Sequence, residues 1–150
     1  MSTSQRIDPT LLEHLLVQHR DLHARLQTLR AAFSDPANRG SADLRAALAD
    51  LRTILQEHFV QEEAGGFIEE SIARIPRLAS AARDVMAEHP RLLDELDGLL
   101  ESLSVLDISP AGWRSARERF NAFADHLLAH ERNEHAVVQD GYNEDFGLDD

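Results

Sequence analysis

The 150-residue chain has no cysteine. That excludes disulfides, thiolate-held zinc and iron–sulfur clusters, and leaves any metal to nitrogen and oxygen ligands. Aromatic residues make up only 5%, with a single Trp, and no strand-like alternation runs through the chain, which argues against sheet architectures. Positive charge is scarce: 15 Lys and Arg stand against 27 Asp and Glu, a formal charge of −12. Such a balance repels nucleic-acid phosphates and anionic membrane surfaces, so neither is expected as a partner. No apolar run approaches the roughly 20 residues of a membrane span, and the N-terminal segment lacks the basic start, apolar stretch and cleavage site of a secretory signal. A soluble, cytoplasmic protein is expected.

What the chain does have is a Leu/Ala-rich palette, 43% hydrophobic overall, and helical periodicity. Turn residues divide it into four amphipathic segments, expected as helices over roughly 9–33, 41–73, 77–103 and 110–140, with a short acidic tail over 141–150. Asp8-Pro9, Ser41 and Ser109-Pro110 read as helix starts, a capping side chain or a proline in the first turn. The apolar stripes are Leu12, Leu15, Leu22, Leu26, Leu29 and Phe33; Leu44, Leu48, Leu51 and Leu55; Leu92, Leu96, Leu99 and Leu103; and Trp113, Phe120, Phe123, Leu127 and Val137. Gly65-Gly66 weakens the second helix, and Pro90 predicts a kink or a restart beside His89. The tail packs loosely, if at all, through Tyr142 and Phe146. Short connections between long helices imply antiparallel neighbours, so the expected fold is one all-α domain over 1–150, an up-down-up-down four-helix bundle.

Eight histidines are many for such a chain, and four of them continue the apolar stripes: His19, His58, His89 and His130. His58 and His130 each begin a His-x-x-x-Glu unit, ending at Glu62 and Glu134. His19 precedes His58 by 39 positions and His89 precedes His130 by 41, so the chain reads as two similar halves. Residues four apart on a helix share a face and can reach one ion or two adjacent ones. Buried carboxylates in a leucine core are strongly disfavoured unless paired or metal-bound. The six therefore read as ligands of a dinuclear metal site, with Glu62 and Glu134 bridging. Imidazole with carboxylate suits iron, zinc, manganese or nickel. His14 and His135, about 140° around the helix from His19 and His130, are expected in solvent.

These motifs, QHRDL around His19, HFVQEE from His58, EHPRLL around His89 and HERNE from His130, resemble the hemerythrin-like (HHE cation-binding) domain family from about residue 8 to 145. The resemblance implies a non-haem di-iron centre, two iron ions with an oxo or hydroxo bridge, that binds O2 for sensing, storage or delivery. Two departures stand out. Leu93 occupies the place of a second histidine on the third helix, and His135 replaces an acid in the fourth motif. His23, one turn beyond His19, and His126, one turn before His130, are candidates for a fifth nitrogen or for supporting a ligand.

Two other readings of the same residues follow. One is a di-iron oxidoreductase acting on peroxide, nitric oxide or an organic substrate, which would use a vacancy on each metal. The other is a regulatory or partner-binding protein in which the metal is structural. Glu63 and Glu131 read as solvated neighbours or as partners of ligating histidines, and Phe59, Phe120 and Phe123 as core.

Overall fold

The computed structural model describes residues 9–64, 76–105 and 107–145. Four long α-helices account for most of them: α1 (Pro9–Ser34), α2 (Ala42–Ala64), α3 (Pro76–Leu103) and α4 (Pro110–Asp145). No strand occurs among the described residues. The principal helix contacts run round in a ring, α1 with α2, α2 with α3, α3 with α4 and α4 with α1, as a helical bundle requires.

Local chemistry sets the helix ends. After α1, Asp35 accepts a bond from the Ala37 amide at 3.0 Å and opens a 3-10 turn over Pro36–Asn38. Gly40 closes the connection at φ 78°, the left-handed conformation that favours glycine. Ser41 caps α2, its hydroxyl accepting from the Leu44 amide at 3.2 Å, and Ser109 caps α4 through the Gly112 amide at 3.0 Å. The expected cap at Asp8 lies outside the described residues, as do Gly65-Gly66, the continuation of α2 to residue 73, and Phe146.

Two expectations about helix course need correction. Helix α3 runs on through Pro90 without a restart at His89, although the proline's missing N–H removes one ladder bond. Helix α4 continues to Asp145 instead of ending near residue 140, so Gly141 does not stop it.

From Leu15 onward, every residue of the expected stripes is buried. They form one large apolar cluster, from Leu22, Leu26, Leu51, Leu55, Leu92, Leu96, Phe120, Phe123, Leu127 and their neighbours, and a smaller one from Leu15, Ala82, Val85, Val137 and Val138. Along each of α1, α3 and α4, the sequence between the two clusters carries the buried polar residues: His19, His89, and His130 with Glu131 and Glu134. A polar layer thus interrupts the core.

Candidate metal centre

All six residues of the expected set are buried in that layer: His19, His58, Glu62, His89, His130 and Glu134, none more than 6% exposed. They divide into two groups of possible ligands, His19, His58, Glu62 and Glu134, and Glu62, His89, His130 and Glu134, each with its ligand atoms within 4.8 Å of one another. Both carboxylates belong to both groups, so each could bridge. His19 Nε2 lies 3.1 Å from Glu134 Oε1, His58 Nε2 3.3 Å from Glu62 Oε1, His89 Nε2 3.6 Å from Glu62 Oε1, and His130 Nε2 3.6 Å from Glu134 Oε2. The four Nε2 atoms face inward, toward the carboxylates.

The outward Nδ1 atoms are held by a ring of residues adjacent in sequence to the inner six. Gln18 of α1 accepts from His58 of α2 at 2.6 Å. Glu63 of α2 accepts from His89 of α3 at 3.0 Å, and Glu88 of α3 accepts from His130 of α4 at 2.7 Å. His135 of α4 closes the ring, its Nε2 sharing a hydrogen bond with His19 Nδ1 at 3.0 Å. A residue beside a core-facing position sits 100° round the helix, on the flank that meets the neighbour. Each Nδ1–H given to an acceptor leaves a lone pair on Nε2, the form that ligates metal.

Inside the ring, polar atoms are left over. Nε2 of His19, His89 and His130, Oε1 of Glu62 and both oxygens of Glu134 are buried without a hydrogen-bond partner. An unpaired buried polar atom costs about 1–3 kcal/mol and more if charged, so converging orphans from four helices fit a cation. The donor set is nitrogen and oxygen alone, which suits a first-row divalent ion.

Electrostatics agrees. Burial pushes the Glu62 carboxyl far above its ordinary value, and the neighbouring Glu134 carboxylate adds to the shift. Burial acts on Glu134 the same way, but the nearby Glu62 carboxyl and the His19 and His130 rings outweigh it and hold Glu134 down. The pair therefore keeps one proton that a bound cation would displace. Burial drives His58 down to about 4, helped by His19, His89 and His130 and opposed by Glu134. Burial also lowers His89 against the pull of Glu63.

The structure sorts the remaining expectations. His126 stands in solvent, its Nδ1 donating to Glu95 at 2.8 Å, and belongs to neither ligand group. His23 is also exposed and is hydrogen-bonded to buried Glu131; it too belongs to neither group. Glu131 is therefore buried and bonded to a histidine outside the inner set. Burial raises its carboxyl, while His19 and His23 pull it down. His14 is exposed, as expected. The expectation that His135 faces solvent is wrong: it is half-buried, stacked on His19 with centroids 4.9 Å apart. Its flank of α4 meets α1, which a single-helix angle cannot show. Burial lowers its basicity, with His19 next in effect. Leu93 packs, partly buried, against the large apolar cluster.

Gln18 and Glu88 went unnoticed in the sequence. Their signal was position, each immediately before a core-facing histidine. Compared with family models, curated proteins and solved structures, the chain matches none.

Proposed function

We propose that this protein is a non-haem di-iron protein that binds O2, held in an up-down-up-down bundle of the hemerythrin-like kind. The observation that carries the reading is the buried set of four inward Nε2 atoms around two carboxylates common to both ligand groups. His19, His58, His89 and His130 would hold two ions, and Glu62 and Glu134 would bridge them. Iron in such a site supplies reversible electron transfer to O2. The protein's own part is to fix the ring tautomers, exclude water with Phe59 and the leucines on either side, and keep the carboxylates facing each other. The helix course is supported by partner pairs whose numbers run in opposite senses: His19 with His135 and His23 with Glu131, and Glu88 with His130 and Glu95 with His126.

One observation favours a second reading, oxidoreductase chemistry on peroxide, nitric oxide or an organic substrate. The histidines divide two and two, with His23 and His126 outside both groups, and equal ligand sets leave room for exogenous ligands on both ions. The test is iron content per chain, with the optical spectrum of the reduced protein before and after air. Near two irons and a persistent new visible band support O2 binding. A band that decays as product forms supports turnover. Failure to hold iron overturns both, and no response to air overturns O2 binding.

A further inference from the structure

We propose that the two metal positions are unequal: the one served by His89 and His130 fills first and tightest, because its histidines alone are backed by carboxylates. The inference rests on the dinuclear reading above. Glu62 and Glu134 belong to both ligand groups, so they cancel from a comparison of the two positions. What differs is the ring around them.

His89 donates to Glu63 at 3.0 Å and His130 to Glu88 at 2.7 Å. An imidazole bonded to a carboxylate gains electron density at its other nitrogen and becomes a stronger ligand. His58 donates to the neutral Gln18 amide at 2.6 Å. The Gln18 amide nitrogen donates to Gln61 at 2.8 Å, which fixes its carbonyl oxygen toward His58. His19 meets a second imidazole, His135, at 3.0 Å. A carboxylate thus accepts from each histidine of one position and from neither histidine of the other. Glu131 is the remaining buried carboxylate nearby. It is hydrogen-bonded to His23 and to neither His19 nor His58, so it acts on His19 through space and not through a bond to the ring.

Packing adds to the difference. Phe59 stacks on His89 at 3.8 Å and meets His130 edge-on at 5.5 Å, a closer hold than its tilted contact with His58 at 5.9 Å, while His19 is stacked on the half-buried imidazole of His135. The ion between α1 and α2 is then the exchangeable one, and limiting metal gives a chain loaded only at His89 and His130.

Cobalt(II) titration of the metal-free full-length chain tests this, read by calorimetry and by paramagnetic shifts of the histidine rings. Two steps separated by at least about tenfold are expected, with the His89 and His130 signals shifted in the first. Glu88→Gln should weaken the first step by about 10–100-fold and the second by under about threefold. Glu63→Gln should do less, since Glu63 is half exposed. Gln18→Glu should strengthen the second step. Two equal steps, first shifts at His19 and His58, or a Glu88→Gln effect spread evenly over both steps would overturn the proposal. If no variant takes up cobalt at all, the dinuclear reading itself falls, and this inference with it.

Discussion

Phe59 lies face to face with His89, ring centroids 3.8 Å apart and planes 7° from parallel. A fully packed aromatic thus sets the angle at which a candidate ligand enters the site. Phe59→Ala should destabilise the protein by about 3–5 kcal/mol through the cavity it leaves. It should also weaken metal binding, because His89 would lose its wedge. Phe59→Leu keeps most of the volume and should cost about 1–2 kcal/mol. Denaturant unfolding together with metal affinity measures both effects. Unchanged affinity in Phe59→Ala would show that the Glu63 bond alone orients His89.

His23 and His126 look alike in the sequence, each one turn from a candidate ligand, and their environments separate them. His126 pairs with Glu95 at the surface, so His126→Ala should leave metal content and stability nearly unchanged, within about 0.5 kcal/mol. His23 holds the buried carboxylate of Glu131, whose second oxygen is already without a partner. His23→Ala should therefore cost about 1–3 kcal/mol while two metals still bind. Chemical unfolding and metal analysis of the two variants would decide. Loss of a metal from either would make that histidine a ligand.

These two cases show what the sequence could reveal. The inner six were legible because helical period 3.6 carries a stripe through them, and stripe membership is a property of one helix. The four helices and the two serine caps were legible for the same local reason. Ring partners are not local. Gln18, Glu88 and His135 act on histidines 40, 42 and 116 positions away, and only helix packing decides which flank meets which neighbour. The burial of His135 is not legible because the angle from His130 measures distance from one helix's own stripe, while α4 packs against both α1 and α3. Proline's local cost is legible at Pro90, but whether the helix restarts there is not, and α3 continues through it.

The site should weigh against the stability of the metal-free chain. Glu62 is buried with an oxygen unpaired and its carboxyl forced toward the neutral form. Glu62→Leu removes that cost at similar volume, and the metal-free protein should gain about 1–3 kcal/mol. The same change deletes a candidate ligand common to both groups, so added zinc or iron should no longer raise the melting temperature. Thermal melts with and without metal give both numbers. A variant less stable than the parent in the metal-free state would mean that Glu62 is better satisfied than its burial implies.

The folded values of Glu62 and His58 lie on opposite sides of neutrality. Glu62 is raised above 4.5 by burial and by Glu134, so in the metal-free fold it keeps a proton that the unfolded chain releases. Its contribution is fully present below pH 4.5 and is lost as pH climbs, by up to about 1.4 kcal/mol per pH unit. His58 runs the other way. Burial lowers it from 6.5 to about 4, so its contribution is present above pH 6.5 and lost as pH falls toward 4. The contributions of these two groups offset each other between about pH 4.5 and 6.5, and above that window the Glu62 loss is unopposed by His58, so their joint contribution falls toward pH 8. Metal reverses the alkaline side, because a cation displaces the Glu62 proton and binds more tightly as pH rises. The stabilisation from saturating metal should therefore grow from pH 5.5 to 7.5, by about one proton's worth per unit. Melting temperatures across that range, with and without metal, would show it. A metal-induced rise that stays constant with pH would mean that the carboxylate pair holds no proton to displace.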